Sequence, residues 1–311
     1  MFLRAAFILM LCFLASAALA QRRMPLSVEA LGHYGKIFKH TTNFSPAVNG
    51  PAIGGEVAVN LQTIGQNAWE RPYGFPQYGL AVSFVRFNND SVLGFGIGAM
   101  PQVFIPVYKS ESFRVDFNLG TGVAYLTKHF DAVKNPRNNV IATGVNNITS
   151  FGFRARYQLT PHWAGLLGTS FTHYSTGDAR LPNLGINVPA VKLGASYTFN
   201  PRPYADYFSA DPADKRLTPG FKARFTVARF EAAQRNGPIH TQAGLEVGVF
   251  YYLTRWNKLS LSADVFYNSY AYFFMHTQEL DRDKNQLLRA IGSTVILEDE
   301  VLLGRVGVTG A

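Results

Sequence analysis

The sequence has almost no cysteine, few charged residues for its length, and no long apolar run after its first 21 residues. The only cysteine, Cys12, lies within those residues, so we expect a mature chain without disulfides, cysteine nucleophiles or cysteine ligands. Charged residues make up 16% of the chain and aromatic residues 14%, which is unusual for a soluble protein. No later apolar run approaches the roughly 18 residues of a membrane-spanning helix, so a helical membrane protein is excluded.

The first residues have the pattern of a secretory signal. A single basic residue, Arg4, precedes an apolar run from Ala5 to Leu14, and Ala18-Leu19-Ala20 supplies the small-x-small pattern that signal peptidase reads. We therefore predict a signal peptide over 1–20, cleaved after Ala20, and one mature domain over 21–311. A membrane anchor would need about 20 apolar residues, and this run is shorter.

The charge balance is basic, with 29 Lys and Arg against 20 Asp and Glu. Such an excess suits contact with an anionic partner, either nucleic acid or a phosphorylated lipid surface. An exported chain seldom meets nucleic acid, so lipid is the expected partner.

The high aromatic content is explained by segments in which apolar residues alternate with polar or small residues. In the segment 115–125 an apolar set (Val115, Phe117, Leu119, Val123, Tyr125) alternates with a polar or small set that includes Asp116 and Asn118. This is the period of a β-strand with one apolar face. Similar segments occur at 28–38, 54–64, 78–88, 91–104, 148–158, 163–175, 187–199, 221–232, 240–254, 259–274 and 290–303.

Strands of 10 to 15 residues are longer than the five or six usual in soluble sheets, and ten tilted residues span the apolar band of an outer membrane. Aromatic clusters such as Tyr270–Phe274 lie near predicted strand ends, where an interfacial girdle is expected. The sequence therefore predicts an all-β fold, a transmembrane antiparallel β-barrel of about 12 strands in the outer membrane of a Gram-negative cell. The alternative is a secreted β-sandwich or lipocalin-like barrel, which would need a second sheet over its apolar face.

The end of the predicted strand 163–175 carries a candidate nucleophile and base. His173 and Ser175 are two residues apart and would share one strand face, with Cα atoms roughly 6 to 7 Å apart. A serine hydroxyl becomes nucleophilic when a nearby imidazole takes its proton. Spacing alone leaves open whether these are catalytic residues or only polar residues at a strand end.

The wider stretch, "FTHYSTGDARLPNLGIN" followed by the alternating "VPAVKLGASYTF", resembles the family of PagL-like lipid A deacylases, also called acyloxyacyl hydrolases. The resemblance covers 170–199 and includes Phe171, His173, Tyr174 and Ser175. It implies an outer-membrane barrel in which His is the base and Ser the nucleophile for cleaving an ester-linked acyl chain from lipopolysaccharide. The family's barrels have eight strands, and the greater length of this chain implies four more. The family's Glu, which orients the His, corresponds to Asn187.

Two positions depart from the family pattern. Thr176 replaces an Asn after the nucleophile, and Asn187, which can orient a His ring but cannot supply a full negative charge, replaces the Glu. Donors for the charged intermediate are expected at Thr176, Gly177 and Asn183. If this is an active site, His173 and Ser175 must point toward lipid, and Asn187 must lie within about 3.2 Å of His173 Nδ1.

We therefore expect an outer-membrane serine esterase acting on the lipid A of lipopolysaccharide, with His173, Ser175 and Asn187 as catalytic residues. No metal or other cofactor is expected, because His129, His240 and His276 lack metal-ligand spacing. The alternative is a non-catalytic barrel: a pore, a structural protein or an inactive relative.

Overall fold

The computed structural model describes residues 24–310 except 68, 204–206, 208–217, 233, 281–284 and 304–305. The predicted signal peptide lies outside the described residues. The described chain divides into two compact units, one with a closed β-barrel and one with a five-stranded sheet. Among the described residues, no helix has the length and apolar character that crossing a membrane requires.

Eight antiparallel strands form the barrel, joined in sequence order and closed by pairing of β1 with β8. They are β1 (Leu26–Gly35), β2 (Ala52–Gln62), β3 (Gln77–Arg86), β4 (Phe95–Lys109), β5 (Phe113–Leu126), β6 (Val145–Gln158), β7 (Trp163–Ser175) and β8 (Ile186–Thr198). The expectation of one barrel of about 12 strands is thus corrected to a barrel of eight. Alternation marks each strand but not its partners, so it does not reveal that β8 returns to β1.

The barrel is polar inside and apolar outside. On β5, Asp116 and Asn118 are buried in the interior, whereas Val123 and Tyr125 are exposed on the outer surface. The alternate residues of a strand point to opposite faces of the sheet, so a strict two-residue period gives each strand one polar and one apolar face. This arrangement is the inverse of that in a soluble barrel, whose apolar residues face inward.

An ion network occupies the interior at the barrel end opposite to the end of β7. Arg154 donates to both carboxylate oxygens of Glu29 at 2.9 and 2.8 Å, to Asp116 at 2.8 Å and to Gln77 at 2.7 Å. The guanidinium also lies 3.6 Å from the centroid of the Phe104 ring. Arg114 also pairs with Asp116, and Arg156 lies 3.6 Å from Glu29, so Arg154 links two buried carboxylates from two different strands that each have a second arginine nearby.

Replacing Arg154 by methionine is expected to destabilise the barrel by about 3 kcal/mol, because Glu29 and Asp116 would each lose a buried hydrogen-bonded cation and would keep Arg156 and Arg114 as partners. Chemical denaturation of the refolded protein in detergent measures this change. Arg86→Met is the matched control, since Arg86 pairs with Asp90 at the surface, where both side chains are more than half exposed; its cost should be much smaller, because solvent screens the pair. Equal losses for the two variants would contradict the network's role.

An apolar cluster fills the other end of the barrel, beneath the loops. Its buried members are Ile37, Phe44, Ala52, Val85, Phe87, Leu93, Met100, Ala124, Leu126, Val140, Ile141, Ile148, Tyr174, Ile186 and Val188. Tyr174 packs edge-on against Phe87 with ring centroids 5.6 Å apart. Because Tyr174 lies between His173 and Ser175 on β7, this packing fixes the backbone that carries both.

The second unit is an open antiparallel sheet ordered β13-β12-β11-β10-β9. Its strands are β9 (Gly220–Glu231), β10 (Ile239–Tyr252), β11 (Asn257–Asn268), β12 (Ile291–Leu303) and β13 (Val306–Gly310), with helices α1 (Ser269–Thr277) and α2 (Gln286–Arg289) between β11 and β12. One face is apolar and exposed, including Phe225, Val247 and Leu261. The other face holds ion pairs of Lys222 and Arg224 with Glu246. The sheet has the two-faced character of a barrel wall but does not close.

Candidate active site

The end of β7 presents His173 and Ser175 on the outer surface of the barrel. The even-numbered residues at 164, 166, 168, 170 and 174 are buried, and the exposed ones are odd-numbered, such as Trp163, Leu167 and Thr169. His173 and Ser175 belong to the odd set and are each partly exposed. The two side chains therefore lie on the same face, as expected, and that face is the apolar exterior.

Asn187 contacts His173 across the β7–β8 pair. Residues 173 and 187 are direct register partners, so their side chains lie side by side on one face. The His173 Nδ1–Asn187 Oδ1 distance is 2.6 Å, which is within the roughly 3.2 Å that an active site requires of this pair. An amide oxygen only accepts hydrogen bonds, so His173 Nδ1 carries a proton, and in the neutral ring the Nε2 lone pair is free.

His40 is a member of this group that the sequence reasoning missed. The Asn187 Nδ2 lies 3.0 Å from His40 Nδ1. After β1 ends, the backbone continues to pair with the start of β8: Lys36 N donates to Pro189 O at 3.1 Å and Phe38 N to Asn187 O at 2.8 Å. This pairing brings His40, two residues further on, to the far side of Asn187 from His173.

Ser175 lies in a second bonded group with the loop that follows it. Its Oγ is 3.2 Å from Asn183 Oδ1, 3.1 Å from Asn183 Nδ2 and 2.9 Å from the Gly177 backbone N–H, which donates to it. The Thr176 N–H donates to Asn183 Oδ1 at 2.9 Å. Thr176 thus acts through its backbone, turning the Asn183 amide so that Nδ2 points at the serine oxygen.

The loop conformation depends on residues with positive φ. Gly177 and Asp178 have φ values of 62° and 59°, which form a tight turn directly after Ser175 and direct the Gly177 N–H back toward Oγ. Gly185, at the end of the loop, has a φ of 74°. A Cβ at Gly185 would lie 2.7 Å from His173 Cε1, so only glycine leaves the imidazole its present position.

If the group is a serine esterase site, Gly185→Ala is expected to lower the rate of ester hydrolysis by at least about tenfold, because the new methyl group displaces the His173 ring and a left-handed alanine adds strain. Hydrolysis of a short-chain ester by the refolded protein measures the effect. Gly74→Ala is the matched control for strain, since Gly74 has a similar φ of 70° but an added Cβ there meets no atom closer than 3.5 Å. The prediction fails if both variants lose activity equally.

The arrangement can perform acyl transfer. A base with a free Nε2 and a serine share one face, and a carboxamide N–H and a backbone N–H both lie within 3.1 Å of the serine oxygen. Donors placed beside the nucleophile are suited to stabilise the oxyanion of a tetrahedral intermediate. Among the described residues no group of three or more His, Cys, Asp and Glu side chains is placed to hold a metal ion.

Comparison with known proteins identifies one family. Residues 53–196 match the family model described as lipid A 3-O-deacylase (PagL). No curated protein matches the chain.

Solved structures similar to the chain include three of low identity. The outer membrane enzyme PagL is 13% identical, with 53% of this chain and 97% of that chain covered and a TM-score of 0.37. Neisserial surface protein A is 9% identical, with coverages of 56% and 95% and a TM-score of 0.34. The N-terminal β-barrel domain of Pseudomonas aeruginosa OprF is 13% identical, with coverages of 57% and 100% and a TM-score of 0.32.

Proposed function

We propose that the protein is an outer-membrane serine esterase that removes an ester-linked acyl chain from the lipid A of lipopolysaccharide, on the premise that residues 53–196, which form most of the closed barrel, match the family model of lipid A 3-O-deacylases. The observation that carries the proposal is the outward-facing group of His173, Asn187 and Ser175 at the end of β7. The apolar exterior of the barrel supports a location in the lipid of the outer membrane.

In the proposed reaction His173 is the general base and Ser175 the nucleophile. Because Asn187 holds the proton on Nδ1, the Nε2 lone pair takes the Ser175 proton as Oγ attacks the ester carbonyl carbon. The carbonyl π electrons move to oxygen, and Asn183 Nδ2 and the Gly177 N–H donate to this oxyanion. When the intermediate collapses, the sugar oxygen leaves with the proton from His173, and water then hydrolyses the acyl-serine by the same route.

The surface around the site supports a lipid substrate. Phe171 and Phe151 lie on the same outer face with ring centroids 5.4 Å apart, and Val191 and Leu193 on β8 are more than half exposed. These side chains offer an apolar surface to an acyl chain. Lys36 and Lys39 are exposed on the loop after β1 at the same barrel end, where cations would attract the phosphate groups of lipid A.

The test is to incubate the refolded mature protein with lipopolysaccharide and to weigh the lipid A by mass spectrometry. Loss of the mass of one hydroxyacyl chain is expected. Lipid A from which mild alkali has already removed the ester-linked chains is the matched control and should not change. An unchanged mass across several lipid A types, together with ion conductance in planar bilayers, would instead support a non-catalytic barrel.

A further inference from the structure

The contact between His40 and Asn187 bears on how an asparagine can replace the family's glutamate. A carboxylate has two equivalent acceptor oxygens, so it accepts from His Nδ1–H in either orientation. A carboxamide has one acceptor end and one donor end. With Asn at position 187, the orientation of the amide therefore decides which nitrogen of His173 carries the proton.

The wrong orientation would disable the base. If the Asn187 NH₂ group faced His173, it would donate to Nδ1, and the proton of the neutral ring would move to Nε2. That nitrogen would then have no lone pair for the Ser175 proton. In a serine protease, replacement of the triad Asp by Asn lowers kcat by about 10⁴-fold for this reason, although the geometry stays intact.

We infer that His40 is a positioning residue that selects the productive orientation of Asn187 by accepting a hydrogen bond from its Nδ2. The 3.0 Å contact to His40 Nδ1 occupies the donor end of the amide, and the 2.6 Å contact places the acceptor end on His173. His40 is exposed, so its Nε2 is accessible to solvent in the tautomer whose Nδ1 lone pair accepts from the amide. The role in catalysis depends on the proposed esterase function.

Main-chain hydrogen bonds hold the segment that carries His40 beside Asn187. Phe38 and Asn187 form a β-bridge, with the Phe38 N–H donating to Asn187 O. His40 is held by the same short segment that pairs with the strand carrying Asn187. The imidazole is therefore positioned relative to the amide by main-chain hydrogen bonds and not by side-chain packing alone.

The kinetic test is a double-mutant cycle between positions 40 and 187. His40→Ala is expected to lower kcat about tenfold with little change in KM, which corresponds to the loss of one orienting hydrogen bond. In the Asn187→Glu background the same His40→Ala change should have no effect, since both carboxylate oxygens accept. An equal loss in both backgrounds would overturn the inference. His276→Ala, an exposed histidine of the second unit, is the control and should retain full activity.

A second measurement does not depend on activity. Long-range ¹⁵N–¹H spectra of histidine-labelled protein report which nitrogen of a neutral ring is protonated. His173 should carry its proton on Nδ1 in the unsubstituted protein and shift toward Nε2–H in His40→Ala. An unchanged His173 tautomer would overturn the inference. If the unsubstituted protein cleaves no lipid A, the esterase proposal fails, and this spectrum alone decides the role of His40.

Discussion

Ser175→Ala is expected to lower the rate of lipid A deacylation by at least about 10³-fold, because the variant has no oxygen that can form the acyl-enzyme. The remaining rate would come only from binding and from the donors at Gly177 and Asn183. Mass spectrometry of lipid A after timed incubation measures the change. Gly185→Ala, His40→Ala and the Asn187 substitutions remove no reacting atom, so the effect of Ser175→Ala should exceed theirs.

The barrel should remain folded in this variant. Ser175 is partly exposed at a strand end, and losing its hydrogen bonds to the loop is expected to cost about 1 kcal/mol. Circular dichroism and a denaturation curve check this point. Thr169→Ala, which removes another hydroxyl from the outer face of β7, is the matched control and should leave activity intact. Deacylation by Ser175→Ala within tenfold of the unsubstituted rate would mean that another group is the nucleophile.

The strands were predictable from the sequence, but the number that close the barrel was not. The predicted segment 163–175 coincides with β7, each of the other predicted segments overlaps one strand, and β13 was not predicted. Alternation with a period of two residues shows only that successive side chains point to opposite faces of the sheet, one toward the barrel interior and the next toward its outer surface. It contains no information about whether β8 pairs with β1 or continues to β9, since that depends on register and curvature.

The segment 269–277 was predicted wrongly. Its aromatic residues were interpreted as the girdle at the end of a long strand, whereas the structure forms helix α1 there. Asn268 caps this helix, with its Oδ1 accepting from the backbone N–H groups of Tyr270 and Ala271. Asn is a preferred N-cap, so a local signal for the end of the strand was present but was outweighed by the aromatic pattern.

Part of the site could be predicted from the sequence and the rest could not. The reason is how far apart the residues of the site lie along the chain. His173 and Asn187 are 14 residues apart on one hairpin, so a local motif and strand pairing bring them together. His40 is 147 residues from Asn187, and no local pattern marks it. It becomes visible only when β1 is known to close on β8, because closure places the segment after β1 beside the start of β8.

The substitutions Asn187→Asp and Asn187→Glu are expected to raise kcat by about 5- to 30-fold. If His40 already holds the amide in its productive orientation, a carboxylate adds only its charge. A hydrogen bond to a charged group contributes about 1 to 2 kcal/mol more than a neutral one, and this difference would stabilise the imidazolium that forms as Ser175 attacks. Asn187→Asp keeps the shape of the side chain, and Asn187→Glu restores the residue type that the family uses.

The size of the increase in kcat distinguishes between the productive and the wrong orientation of the Asn187 amide in the present site. Asn187→Ala, which removes the contact to His173 altogether, should lower kcat by at least about tenfold, because the ring then loses both its orientation and its tautomer preference. An increase near 10⁴-fold in Asn187→Asp would mean that the amide now sits in the wrong orientation and that His40 does not select the productive one. If kcat is the same for Asp, Glu, Asn and Ala at this position, Asn187 does not orient the base, and His173 must act without a third residue.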